Sequence, residues 1–567
     1  QIDVFPRPGT PTASAETTIS FRGIAPNEIG DIEVKGSRSG KHDGSFTAHS
    51  DGEGASFVPD KPFASGETVR VRTDLNLRGA REGNFRFHIA VPASREKDAP
   101  TRATGAAGGG SNDELSHPAH FRTYASTPDL HPPKLDIKKR TEGQNAPGYI
   151  FIAPKNPRKK TVPAGPMIVD NAGRVVWFHQ LEKRTLATNF RVREHHGKRV
   201  LTWWQGHTAY GHGFGEEVIA DHSYRVVKRV HAGNGYAADL HAFVLTPQDT
   251  AWFTVYNPVR WHGRPVLEGV VQEVDIKTGA VLYEWHSLAH ISLDESYGDP
   301  IKDPDHFLDY LHPNSIDITH GGDILLSGRH TSTVYKIDRQ TGKIIWRLGG
   351  KKSDFDIPKA ATFHYQHDVQ LRSDGDLTLF DNASVSKKDA SHVHSRGLVL
   401  RLDTDAMTAT LVRQYAPPGG LLATSQGNVQ PLPDGDVFIG WGSTGDYTEY
   451  KHGAVSLDAR LPSGLDTYRA FRFRWEGHPS DKPSVAAKAA PDGGVSVSAS
   501  WNGATDVATW QILAGPAPDE LRPVRTVPWD GLETTLTMPR EAAYVAARAL
   551  GASGKKLGVS SPTQVRR

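Results

Sequence analysis

Three histidines, His241, His312 and His367, stand at matching points of a loosely repeated unit, each just ahead of or opening a short apolar run. Asn314 follows His312 by two residues, and Gln426 opens the next unit. In an extended strand, residues i and i+2 share a face. Imidazoles at the starts of successive strands can therefore converge although they lie far apart in the chain. Convergent imidazoles suit several kinds of work. They can move protons near neutral pH, attack an electrophile, or ligate a cation such as zinc. They can also line a channel as hydrogen bonders with no chemistry.

The elements that would position them recur along the middle of the chain, from about 148 to 478. The clearest unit opens at His312–Pro313–Asn314–Ser315–Ile316 and turns at His320–Gly321–Gly322–Asp323. It continues through Ile324–Leu325–Leu326 and Thr333–Val334–Tyr335–Lys336–Ile337, then turns at Thr341–Gly342 into Lys343–Ile344–Ile345–Trp346. That is four strands with turn chemistry between them. Similar starts fall at Tyr149, Asn189, His241, His367 and Gln426. Intervals of this size, with no helical stretch per unit, predict an all-β chain built on a six-bladed β-propeller. In that fold the first strand of each blade lines the axis.

The flanks read differently. Residues 1–100 carry short alternating runs such as Val69–Arg70–Val71–Arg72, and predict an Ig-like β-sandwich. Residues 101–147 read as linker and lead-in, with a Gly-rich flexible stretch at 104–111. Residues 480–567, with Val495–Ser496–Val497–Ser498–Ala499 and Trp510–Gln511–Ile512–Leu513, predict a fibronectin type III-like sandwich.

Composition narrows the function classes. At 567 residues the chain calls for several cores. Its 66 basic and 64 acidic residues leave a formal charge of +2, which points to neither a nucleic-acid nor a polybasic membrane partner. No apolar run is long enough to span a bilayer. There is no Cys, so disulfides, thiolate metal sites and cysteine catalysis are excluded. A chain opening on Gln1 rather than Met predicts a processed or trimmed product, and small sandwiches flanking a large domain favour a secreted or extracytoplasmic protein with its signal peptide removed.

Other stretches are weaker. Gln205–Gly206–His207–Thr208–Ala209–Tyr210–Gly211–His212–Gly213 reads as a surface loop that could alternatively wall an aromatic substrate through Tyr210. Asp294, Glu295, Asp299, Asp303 and Asp305 mark a solvated acidic insertion whose spacing matches no compact calcium loop. His195–His196 reads as an incidental pair at a turn tip.

Four segments together resemble one family. They are Asp309–Tyr310–Leu311–His312–Pro313–Asn314–Ser315, then Ser327–Gly328–Arg329–His330–Thr331–Ser332–Thr333–Val334–Tyr335–Lys336–Ile337. Phe363–His364–Tyr365–Gln366–His367–Asp368 and Leu379–Phe380–Asp381–Asn382 follow. In this order they resemble the arylsulfotransferases that take an aryl sulfate, not a nucleotide sulfate, as donor, in their actinobacterial and fungal branch. The resemblance covers about 330 residues.

The resemblance implies an axial histidine nucleophile that becomes sulfated, carried here onto His367. It implies further catalytic roles for His241, His312 and Arg329, and places Asn314 at the substrate, where Gln426 and Tyr210 join it by position. The chemistry would be ping-pong transfer of a sulfuryl group from an aryl sulfate to a phenol, both small molecules, with no cofactor and no metal. An imidazole can attack sulfur, a second can protonate the leaving phenolate, and an arginine fork can hold the sulfuryl oxygens. A homodimer is compatible with all of this and not required by it.

Two other classes stay open on the residues themselves. One is a metal-assisted hydrolase or lyase with His241, His312 and His367 as ligands, although Arg329 would be an awkward neighbour for a cation. The other is a non-catalytic extracellular binding propeller.

Overall fold

The computed structural model describes residues 1–93, 120–156, 162–209, 211–298, 307–384, 394–490, 493–538 and 542–566. Within them the chain is all-β, with short 3-10 turns as its only helical elements. The Gly-rich 104–111 stretch, Tyr210 and the acidic residues Asp299, Asp303 and Asp305 lie outside the described residues.

The middle of the chain forms six antiparallel sheets of four or five strands. Five of them open on a strand that follows the predicted starts: Leu186–His195, Phe243–Leu245, Pro313–Ile318, His367–Leu371 and Asn428–Pro431. The sixth is closed differently. Its edge strand is Ala470–Phe473, from the end of this region, which pairs with Tyr149–Ile152. Tyr149 therefore sits on the second strand of its sheet, not the first as its place in the repeat predicts. The six edge strands touch in sequence, and Ala470–Phe473 meets both Asn428–Pro431 and Leu186–His195, so they form a closed ring. Pairing the last strand with the first sheet ties the ends of the ring by backbone hydrogen bonds.

Apolar sequence explains the packing. Ile324–Gly328 and Asp376–Asp381 are buried along their whole lengths, because each sheet is covered on both faces by its neighbours. Leu325, Val334, Trp346 and Leu348 of one sheet pack on Val369, Leu377, Leu379 and Leu398 of the next. Between strands, Gly375 takes φ +86° in the Ser373–Asp374–Gly375–Asp376 turn, with open space where a Cβ would sit. Glycine is there for the left-handed backbone, not for room.

The flanks alternate cleanly. In Thr68–Arg72, Val69 and Val71 are buried while Arg70 and Arg72 are exposed. Residues 3–88 form two four-stranded sheets over a core that includes Phe21, Phe57, Val71 and Phe87. Residues 484–564 form two more sheets around Val497, Trp510, Ile512 and Ala547. Asp136–Arg140, expected as lead-in, adds a fifth strand to the outside of the last sheet of the ring.

Candidate functional site

Three of the edge strands enter the ring through bulges. Register shifts lie between Thr188 and Arg191, Pro313 and Ser315, and His367 and Gln370. Beside them are residues with left-handed backbone: Asn189 at φ 55°, His312 at 51° and Asp368 at 52°, with Gln426 at 67° ahead of its strand. A bulge bends the strand and re-aims the side chains next to it. Non-glycine residues in this region cost backbone energy and persist where packing over-determines them.

His367 is 1% exposed and held at both ring nitrogens. Its Nδ1–H donates to Asn382 Oδ1 at 2.7 Å. The Asn382 amide is itself fixed, donating Nδ2 to the carbonyls of Ala423 at 2.7 Å and Gln426 at 3.0 Å. The carboxamide oxygen must therefore face the ring, so Nδ1 carries the proton and Nε2 the lone pair. Nε2 accepts the Gln426 backbone N–H at 3.1 Å. Burial pushes His367 well below the ordinary imidazole range, and the charges of Arg329, His241 and Arg469 push the same way. The result is a neutral imidazole with its lone pair on Nε2, the form a nucleophile needs.

His241 and His312 form a pair that can hold a different proton count. His241 Nδ1 faces Asp239 Oδ2 at 2.5 Å, and His312 Nδ1 faces Asp309 Oδ2. Both carboxyls lie below their usual range. Burial works against this, but His241 outweighs it for Asp239, and His312, His330 and His212 do so for Asp309. Ionised carboxylates only accept, so each Nδ1 keeps its proton. Yet the two Nε2 atoms are 3.2 Å apart in hydrogen-bond contact. Two lone pairs cannot make that bond, so the contact is a hydrogen bond only when one Nε2 carries a proton. Burial pushes His312 well down, which makes it the acceptor of the pair.

Asp309 is the hub of this side. It also takes His212 Nε2 at 3.0 Å, and its carbonyl accepts His330 Nδ1 at 2.5 Å. Arg329 donates through one terminal nitrogen to His330 Nε2 at 2.7 Å and through the other to the Thr424 carbonyl at 3.0 Å. Its Nε–H is buried with no partner. Tyr256 packs edge-on against His212 at 4.1 Å, and Tyr468 lies 5.6 Å from His241 and 6.2 Å from His367. These rings exclude water and offer apolar faces beside the imidazoles.

The structure thus joins His241 to His312 directly, brings Arg329 to them through His330 and Asp309, and sets His367 beside Gln426. Two expected contributors act differently from their prediction. Gln426 offers its backbone N–H, while its side chain is taken by Lys155 Nζ at 3.1 Å and Asp466 at 3.4 Å. Asn314 donates Nδ2 to the Gln366 carbonyl at 2.8 Å, one residue before His367, and so ties two edge strands together. The His- and Gly-rich stretch is a hairpin, not a loop: Gly206 pairs with Gly215 and Ala209 with His212. Its glycines are required because the Trp204 ring lies on them, within 2.8 Å of where each Cβ would sit at Gly206, Gly213 and Gly215.

Asp239, His212 and Tyr468 escaped the sequence reading as site residues. Asp239 stood two residues before His241, the one local signal available. His212 and Tyr468 come from strands whose neighbours only the fold supplies. Donor atoms close enough for one cation are those of His212, Asp309 and His312, within 4.8 Å of one another, and those of His195, His196 and Asp249 on the periphery. The trio His241, His312 and His367 forms no such group among the described residues.

The model of one protein family, Arylsulfotransferase (ASST), matches residues 191–461, a span that contains His241, His312, Arg329, His367 and Gln426. Over this span the ring of sheets matches the arylsulfotransferase family. The match supports arylsulfotransferase activity in general for this ring. No curated protein matches the chain. Among solved structures, a protein of unknown function from Bacteroides caccae is 14% identical, with 57% of this chain and 98% of that one covered at a TM-score of 0.36. A catalytically inactive virginiamycin B lyase from Staphylococcus aureus, with quinupristin, is 10% identical, with 57% and 87% covered at 0.31. At these scores neither likeness bears on the chemistry of this ring.

Proposed function

We propose that the chain is an aryl sulfate sulfotransferase that works by a ping-pong mechanism through a sulfohistidine at His367. The observation that carries the proposal is the contrast between two proton states within one family-matched site. His367 has a fixed neutral tautomer, and the His241–His312 contact is a hydrogen bond only with one proton more than two neutral imidazoles hold.

In the first half, His367 Nε2 exchanges its hydrogen bond from Gln426 for a bond to sulfur. The S–O(aryl) bond breaks, and its electron pair leaves on the phenolate oxygen. The proton shared by His241 and His312 passes to that oxygen, and a phenol departs. Arg329, with its free Nε–H, holds the sulfuryl oxygens. In the second half an acceptor phenol returns a proton to the pair while its oxygen attacks sulfur, which restores His367. No step calls for a metal or cofactor.

The ring is read as a six-bladed β-propeller spanning about 148–478. The flanking sheets are read as an Ig-like sandwich within 1–100 and a fibronectin type III-like sandwich within 480–567. Small sandwiches flanking a large domain suit an exported protein, and we place this one outside the cytoplasm.

The test is a mass spectrum of the intact protein after incubation with 4-nitrophenyl sulfate and no acceptor. A single sulfuryl adduct mapped to His367, discharged by added phenol and absent in His367→Asn, is the expected result. Release of nitrophenol without an adduct on any histidine would sink the covalent route.

A further inference from the structure

A second charged cluster lies next to the histidines, and the transfer chemistry leaves it unused. Tyr468 packs on His241 and His367, and the next residue, Arg469, lines a small cavity of about 40 Å³. Arg191, Arg193, Asp317 and Gln370 line it too. Arg191 and Arg193 are two apart on the edge strand Leu186–His195, so both point to the same side.

Ion pairs do not balance the charge there. Three guanidiniums meet three carboxyls, Asp317, Asp368 and Glu217, and only Asp368, 3.3 Å from Arg469 Nε, makes an ion pair with them. Burial raises the Asp317 carboxyl above its usual range and weakens it as a counter-charge. Glu217, the acidic neighbour of Arg193, is also pushed well up by burial. Hydrogen bonds are short as well. Arg469 is served by Asn189 Oδ1 at 2.8 Å and the Asn314 carbonyl at 3.2 Å. Arg193 reaches the Phe243 carbonyl, but its Nε is buried without a partner. Arg191, half-buried, lies 3.9 Å over the Phe471 ring. Guanidinium donors left unpaired in a confined place are costly, and an anion would satisfy both the charge and the donors.

We propose that this cavity is a binding site for a small inorganic anion, a halide or a tetrahedral oxyanion such as sulfate, held by Arg191 and Arg193 with Arg469 beside it. The site does not depend on the transfer reaction. It would brace the edge strand that contains Asn189, whose side chain bonds the Leu240 carbonyl just before His241.

Bromide is the direct probe. Crystals of the whole chain soaked in sodium bromide should give an anomalous peak between Arg191 and Arg193. In solution, the melting temperature at fixed ionic strength should be a few degrees higher in bromide or sulfate than in gluconate, by mass action on the folded state. Arg191→Gln should remove that difference. Crystals without a peak in the cavity would overturn the proposal, and so would equal melting temperatures in all three salts. Both arms use the unaltered protein, so they stand even where the variant fails to fold.

Discussion

His241 and His312 meet nitrogen to nitrogen, Nε2 to Nε2 at 3.2 Å, while each turns Nδ1 to its own carboxylate, Asp239 or Asp309. The arrangement can store one proton between two imidazoles that are 3% and 7% exposed. It puts an acid beside a site whose candidate nucleophile, His367, is kept neutral. Environments that push titratable neighbours apart are how one site runs acid and base chemistry at a single pH.

If the shared proton serves the leaving group, its importance depends on how poor that group is. His241→Ala should cost little with 4-nitrophenyl sulfate, whose phenolate leaves unaided. With unsubstituted phenyl sulfate the loss should be on the order of 10²- to 10⁴-fold, the range of general acid catalysis. A plot of log kcat/KM against leaving-group pKa checks this. The same slope in variant and parent would remove the acid role.

Asp239→Asn and Asp309→Asn keep the size of each partner but withdraw the negative charge that favours a protonated pair. The alkaline limb of kcat/KM for a poor leaving group should move to lower pH in each. Asp309→Asn should do more, because the Asp309 carboxylate also takes His212 Nε2. An alkaline limb unmoved in both variants would count against the relay.

Asn382→Ala leaves the His367 ring in place but frees its Nδ1 proton. The rate of adduct formation should fall while donor KM changes little, since only the tautomer of the nucleophile is disturbed. Single-turnover kinetics would read it. Arg329→Lys should lower kcat by about 10²-fold or more, because an ammonium cannot reproduce the planar fork. Full activity in Arg329→Lys would mean that the guanidinium holds only His330 and Thr424.

Stability should carry its own pH signature. His286 is buried between Glu268 at 3.2 Å and Glu284 at 2.9 Å, and Thr12 from the N-terminal sheets donates to Glu268 at 2.6 Å. Burial alone would push His286 down, but the two carboxylates overcome it and raise it to about 10. A raised histidine stabilises fully below its unfolded value of about 6.5, and the contribution is lost as pH rises through about 10. Melting temperature should therefore fall across that window, and His286→Gln should be less stable at pH 7 with a flatter slope. His367 has the opposite sign. Its depressed value means the unfolded chain binds the extra proton, so stability drops as pH falls below about 6.5.

The sequence by itself determined much of the frame. Period-two patterning and turn residues marked the four strands after His312, and these formed at Pro313–Ile318, Ile324–Gly328, Thr333–Ile337 and Ile344–Gly349. They were legible because strand and turn preferences act over a few residues. The histidines stood out for the same reason, at the one point of each unit where a polar side chain precedes an apolar run. Tertiary structure decided the rest. That Ala470–Phe473 rather than Tyr149–Ile152 supplies the sixth edge strand depends on a pairing across more than 300 residues, which no local preference encodes. That Asp309 gathers His212, His312 and His330, and that Gln426 meets His367 through its amide and not its side chain, depends on which strands the ring brings together. Residue type fixes what a group can donate or accept. Only the packed ring fixes which partner it finds, and so which nitrogen of each histidine holds a proton.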